Sequence, residues 1–327
     1  MVLTNKDSFV FYRKPQSKEI NYVIGEWSKI KEINSLAKFT FTVFNGESHQ
    51  IFGEKKILKD EIIIHNNEFH TVNNITKEKY IDQANEYIEL CKKKIIEKIV
   101  FSRIVKSKNN FSNIFLLFEK LCNRYEHSFN YVLNHPKLGM WMGASPEILL
   151  KCDVNGCKTI ALAGSKKWDN QINWRNKEIE EQQYVKNYIE KILNKHSNNV
   201  ECIRDLETVK AGNIAHLKST FNFNIQTSIH QLIADLHPTP AVCGIPLEST
   251  KHLIHKNEQH NRSLYTGFLG ELTNNETSLF VNLRCMKINA NEFKIYVGGG
   301  ITAKSNAEEE WEETEIKAQT MLSLIEN

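Results

Sequence analysis

No apolar run approaches the length needed to cross a bilayer, and the opening Met1-Val-Leu-Thr-Asn-Lys6 lacks the apolar segment of a secretory leader. These absences argue against a helical membrane protein and predict a soluble, cytoplasmic chain. An excess of one charge sign is missing too: 42 Lys and Arg against 39 Asp and Glu leave a net +3, dispersed along the sequence. No basic stripe is interleaved with aromatics, so no nucleic-acid partner is expected. The seven cysteines (91, 122, 152, 157, 202, 243, 285) are odd in number and scattered, which reads as reduced thiols. Cys152 and Cys157 bracket Asp153-Val-Asn-Gly156, a hairpin-turn sequence; with no second Cys or His pair at ligand spacing, zinc is not expected there. A Walker loop, G-x-G-x-x-G and G-x-S-x-G are all absent.

What remains is globular in composition, with 25% charged and 41% hydrophobic residues, and 327 residues allow one large domain or two ordinary ones. Residues 1–74 read as short strands and turns, among them Phe9–Tyr12, Phe39–Phe44 and Glu61–His65. From residue 75 strands and helices alternate. Thr76 caps a helix to about Ile95, and Lys98-Ile-Val-Phe-Ser-Arg-Ile-Val105 is a strand opened by a lysine, a residue that ordinarily snorkels to water. After a helix at 114–125 and a strand at 130–133, Trp141–Ala144 and Ile148–Lys151 are strand segments interrupted by Ser145-Pro-Glu147. Proline cannot donate to a sheet ladder, so this is a bulge or corner that re-aims Glu147, either to the surface or into a site.

Thr159–Ala163 is a buried type of strand ending at a small-residue turn, Gly164-Ser165. In the helix from about Asn176 to Asn194, Glu181 heads the stripe of Tyr184, Val185, Tyr188, Ile189 and Ile192. A carboxylate on that stripe is costly unless a cation or hydrogen bonds satisfy it, and Glu178 is its rival for any role. His216 lies beside a half-buried strand ending near Gln226, and His237-Pro-Thr-Pro-Ala-Val-Cys-Gly244 is a loop stiffened by two prolines. A final strand pair covers Leu264–Leu272 and Leu279–Ile288, the second interrupted by Arg284, as expected of an arginine reserved for a carboxylate.

The end of the chain organises the rest. Lys294–Val297 is a strand, Gly298-Gly-Gly300 reads as a turn whose amides can approach an anion, and Ser305 with Glu308 matches a capping box that starts a helix at Asn306. Glu310, Glu313 and Lys317 share one helix face beside Trp311, Ala318 and Leu322. The pair Glu310 and Glu313 is either a solvated acidic turn or a holder for a hard cation.

In this order KIVFSR (98–103), GASPE (143–147), ALAGS (161–165), KEIEEQ (177–182), HLKS (216–219), HPTPAVCG (237–244), YTGFLG (265–270), LRC (283–285) and GGGI with EEEWEETEIK (298–317) resemble the chorismate-utilising enzymes over about residues 75–325. That family includes isochorismate synthase, salicylate synthase and the large subunits of anthranilate and aminodeoxychorismate synthase. The resemblance implies an α+β fold, a four-layer α/β/β/α sandwich forming one domain, with 1–74 a strand-rich part of it and 75–327 the catalytic core. It implies Mg²⁺ as cofactor, chorismate as substrate, and a monomer needing no glutaminase subunit. Lys98 points to members that add water, not ammonia, and Ala241 leans toward isochorismate over salicylate synthase.

By the same resemblance Lys98 is the base that activates water at C2 and Glu147 the acid that protonates the departing C4 hydroxyl. Glu181, Glu310 and Glu313 hold the metal; Tyr265, Arg284 and the amides around Gly299 bind substrate carboxylates; Gly164, Ser165, His216 and Lys317 line the site. Lys98 must be neutral to act, so burial or a nearby positive charge is expected around it.

Overall fold

Twenty strands, several of them buried along their whole length, build two nine-stranded sheets and a short two-stranded one, as a computed structural model describes them for residues 1–31, 37–59, 61–66, 75–212, 214–273 and 276–326. In order across the first sheet run Gly244–Ile245, Lys98–Lys108, Glu292–Thr302, Cys285–Ile288, Gly139–Ser145, Phe129–His135, Phe9–Arg13, Asn21–Ile24 and Lys55–Ile57. Across the second run Glu201–Ala211, Ile214–Phe223, Gly156–Lys167, Ile148–Asp153, Thr277–Val281, Phe268–Leu272, Phe39–Thr42, Ser48–Phe52 and Glu26–Ile30. The strands before residue 74 therefore extend both sheets. The boundary read near 74 itself lies outside the described residues.

The period-2 pattern decides which side chains fill which layer. On Phe129–His135, Phe129, Tyr131 and Leu133 face the space between the sheets with Tyr12, Phe39, Phe41, Trp141, Leu269 and Phe280. Val132 points the other way, onto helices α2 (Ile114–Arg124) and α6 (Ala307–Ile325), through Leu117, Leu121, Ala318 and Met321. Helix α1 (Lys77–Lys92) covers the end of the same sheet near Phe101 and Ile301. The second sheet is covered by α3 (Asn176–His196) and α4 (Ile229–Leu236), whose Val185, Ile189, Leu193, Leu232 and Leu236 meet Ala161, Ala163 and Phe221. The layers are thus helix, sheet, sheet, helix, the α+β sandwich expected. Helix α5 (Leu247–Asn257) joins the α1 side through Ile254.

Four local readings change. The three glycines are not a turn: strand Glu292–Thr302 runs straight through them, with Gly298 opposite Ser102 and Gly300 opposite Val100. Apolar periodicity has no handle on residues without side chains, so by pattern alone the strand ends at Val297. The segment Leu279–Ile288 is not one strand either, because Thr277–Val281 belongs to the second sheet and Cys285–Ile288 to the first. Arg284 stands at the crossing with φ +48°. The helix cap is Asn306, whose side chain accepts from the Glu309 amide, while Ser305 Oγ instead accepts from the Thr302 amide. Finally, the cysteines are not all thiols: Cys152 and Cys157, opposite each other in the hairpin register, form a disulfide. A turn of this length brings its flanking residues face to face, a consequence of the hairpin that the cysteine count alone did not carry.

Candidate active site

The chain changes sheet twice beside the same cavity. Gly139–Ser145 ends in the first sheet and Ile148–Asp153 begins in the second, so Pro146 and Glu147 make one crossing; Asn282 to Arg284 make the other. Between them lies a chamber whose walls include Glu147, Gly164, Ser165, Glu181, His216, Tyr265, Arg284, Gly298, Gly300 and Lys317. Eight of the expected site residues therefore share one chamber. Lys98, Glu310, Glu313 and Gly299 are not on its wall but stand directly behind it.

Lys98 does not snorkel; it is 1% exposed. Its Nζ lies 3.0 Å from Glu181 Oε1, so the nearby charge is a carboxylate, not the cation anticipated as an alternative to burial. The bare α-carbons of the glycine run make this possible. A Cβ on Gly300 would stand 2.2 Å from Glu181 Oε1 and 2.9 Å from Lys98 Cε, and one on Gly299 would stand 3.1 Å from Glu310 Oε2. Adjacent strand residues present opposite faces, so the two glycines make room for two different carboxylates. Gly299 is thus a floor for Glu310, not a wall of the chamber. Beyond Tyr296 the strand has lost its neighbour Cys285–Ile288, leaving an open edge, and Lys317 Nζ takes the Gly298 carbonyl there at 2.8 Å.

Glu147 is 2% exposed, and burial pushes its carboxyl up to about 8 against the opposing pull of Lys98. At neutral pH such a group is an acid with a proton to give. Of the two readings open for it, the inward one holds. Glu178, the rival of Glu181, is also buried but serves its own helix end, accepting from the Arg175 amide at 2.8 Å and from the Arg175 guanidinium. It also closes over Gly164, which has φ +66° and on which a Cβ would stand 3.2 Å from the Glu178 Cβ.

His216 is buried and its pKa is held down to about 3, by desolvation first and then by Arg284 and Lys317. Its Nδ1 lies 3.0 Å from the Gly164 carbonyl and 3.2 Å from Ser165 Oγ, while Arg284 Nη2 lies 3.1 Å from Nε2. A neutral imidazole protonated at Nδ1 satisfies these contacts and receives the guanidinium, which aims Arg284 across the chamber. Tyr265 is buried nearby, its hydroxyl pushed further toward the neutral form by burial.

The glutamates form a second, linked group. Lys317 Nζ lies 2.6 Å from Glu313 Oε1, and Lys177 from α3 pairs with Glu310. Although burial opposes it, Glu310, Glu313 and Glu181 together strengthen the Lys177 ammonium. Glu310 is raised to about 7, by burial first and then by Glu313 and Glu181, with Lys177 opposing. Among the described residues no three acidic, histidine or cysteine side chains converge at metal-ligating distance; each glutamate here has a lysine partner instead. One atom is left over: Glu310 Oε2 is buried without a hydrogen-bond partner. Such an oxygen is costly unless something hard and positive meets it, and the donor set is all carboxylate, the chemistry that Mg²⁺ accepts. Lys177 was missed from sequence, although its i,i+4 relation to Glu181 on α3 places both toward the same side.

The sequence matches the model of the chorismate binding enzyme family over residues 28–326. It is 27% identical over 244 residues to isochorismate synthase EntC of Escherichia coli K12, covering 70% of this chain and 62% of that protein. It is 28% identical over 244 residues to the vibriobactin-specific isochorismate synthase of Vibrio cholerae, with the same 70% and 62% coverage. The chain thus spans a little under two thirds of the length of these relatives. Its fold is similar to that of the 2,3-dihydroxybenzoate-specific isochorismate synthase DhbC of Bacillus anthracis, with TM-score 0.82 at 22% identity, covering 98% of this chain and 96% of that one. It is also similar to the menaquinone-specific isochorismate synthase MenF of Escherichia coli, with TM-score 0.80 at 16% identity, covering 98% and 88%. With the family match covering residues 28–326 and all the site residues named above, the chain belongs to the chorismate-binding enzymes.

Proposed function

We propose that this chain is an isochorismate synthase: it adds water at C2 of chorismate and expels the C4 hydroxyl, with Mg²⁺ as cofactor. The observation that carries this reading is the pairing of functions at one chamber, Glu147 kept as an acid by burial and Lys98 buried at the opening of its strand beside Glu181. In its neutral form Lys98 takes the proton of the attacking water, with Glu181 beside it to hold the ammonium that results; Glu147 gives its own to the departing hydroxyl, so a water enters and a water leaves. Chorismate is a dianion, and Arg284, Tyr265 and Lys317 supply donors for its carboxylates, with His216 orienting Arg284. Glu181, Glu310 and Glu313 would hold the metal, which when bound supplies the positive charge that clamps a ring carboxylate.

The similar proteins named for menaquinone and for catecholate siderophores support either as the use of the product. The activity is proposed for the chain alone, as a monomer in the cytoplasm without a glutaminase. No helix among the described residues is long and apolar enough to cross a membrane. Incubation with chorismate and Mg²⁺ tests the reading. Accumulation of isochorismate supports it; salicylate with stoichiometric pyruvate, or a product formed only with ammonia, overturns it.

A further inference from the structure

A second, more open groove adjoins the chamber and shares three of its walls, Pro146, Leu162 and His216. It lies, open to solvent, between the end of α2 and the inner face of the strands Gly156–Lys167, Glu201–Ala211 and Ile214–Phe223. Its floor is apolar, made of Ile160, Leu162 and Val209, while Arg124, Lys210 and Lys218 stand on its rim. No role in the chemistry above uses these residues.

The charges on this face are not evenly mixed. Lys158 shares the Ile160 and Leu162 side of its strand, and its ammonium is disfavoured by burial first and then by Lys218, Arg204 and Lys151. Glu207 answers Lys218 at 2.9 Å and Arg204 at 3.1 Å, and Glu126 lies at the α2 end. Arg124 donates to the Ser323 carbonyl at 2.7 Å, and Lys210 Nζ sits 5.0 Å from the Trp168 ring centre; neither contact neutralises its charge. An apolar floor beneath a basic rim fits a flat ring carrying carboxylates, and a low-dielectric wall strengthens the pull of the rim on an anion.

We propose that this groove is an antechamber through which the dianionic ring substrate reaches the chamber, passing between Pro146, Leu162 and His216, with Arg124 and Lys210 drawing it in. This rests on the chorismate reading for the identity of the substrate. The charges act on arrival, not on the chemical step, so they set kcat/KM and leave kcat unchanged.

The test compares wild type with Arg124→Glu/Lys210→Glu, and with Lys191→Glu as a control for a charge reversal elsewhere, on the exposed side of α3. Circular dichroism and thermal midpoints first establish that all three are folded. At low ionic strength the double variant is expected to lose about tenfold in kcat/KM with kcat retained, the gap closing as salt is added, while Lys191→Glu behaves as wild type. An unchanged kcat/KM with unchanged salt dependence, or an equal loss in Lys191→Glu, overturns the antechamber. Calorimetric titration with isophthalate, a non-reacting dianionic ring, gives a readout that needs no turnover. Weaker binding to the double variant than to Lys191→Glu upholds the groove even if wild type fails to convert chorismate; equal or undetectable binding overturns it.

Discussion

Glu181 and Lys98 meet at 3.0 Å over the bare α-carbon of Gly300, one side chain from a helix on the outer face of the second sheet and the other from a strand of the first. Three elements distant in sequence must be in place for that contact to exist.

Gly300→Ala should therefore separate folding from function. The new methyl would stand 2.2 Å from Glu181 Oε1, an atom able to move away only by leaving Lys98. The expected result is a folded protein with turnover reduced by about 100-fold, since small misplacements of reacting groups cost that much. Wild-type turnover of chorismate in a folded Gly300→Ala protein would show that the contact is dispensable.

Removing one partner of a buried pair leaves the other charge uncompensated. Lys98→Met is expected to lose about 3 kcal/mol of stability and all measurable turnover. Adding Glu181→Gln to it should return much of the stability and none of the activity. Urea denaturation of the single and double variants checks the first part, and a chorismate assay the second.

Glu147 gives a pH dependence with a defined sign. Its carboxyl is raised from 4.5 to about 8 in the folded chain, so the folded state holds the proton more tightly than the unfolded one. Its contribution to stability is fully present below about 4.5 and is lost as pH rises to about 8. Turnover should fall over the upper part of that range as the acid loses its proton. Glu147→Gln is expected to be inactive yet to lose less stability than wild type between pH 5 and pH 8, read from urea midpoints across ~3 units of pH.

The unpartnered oxygen of Glu310 predicts a metal effect on the protein itself. Mg²⁺ in about 100-fold excess over its dissociation constant should stabilise the fold by about 2.7 kcal/mol, and chelation should abolish turnover. Glu310→Ala should remove the Mg²⁺-dependent rise in thermal midpoint. A rise of the same size in that variant would mean that the ion binds elsewhere.

Much of this site was legible because charged side chains interrupted apolar patterns. Glu181 heads the buried stripe of α3 and Arg284 breaks a hydrophobic run, and both line the chamber; Lys98, opening its strand, reads by pattern as a lysine that reaches water, and only the resemblance put it in the site. The sandwich came from resemblance, since alternating strands and helices suit several architectures. What escaped reading depends on contacts across the fold. A glycine run carries no periodicity, so a strand looked like a turn. A stretch of continuous apolar residues does not announce that half of it, Thr277–Val281, pairs with Ile148–Asp153 while the rest, Cys285–Ile288, pairs with Gly139–Ser145. Nothing local marks Lys177, because its partner Glu310 reaches it only when α6 is packed in place.

Glu147 and Arg284 both stand where the backbone steps from one sheet to the other, so the width of the aromatic layer between the sheets sets how far apart the acid and the guanidinium are held. Phe280 lies opposite Ile148 in the ladder and stacks on Phe129 with ring centres 4.5 Å apart. Trimming either ring would narrow that layer and change the spacing of Glu147 and Arg284 without touching either side chain.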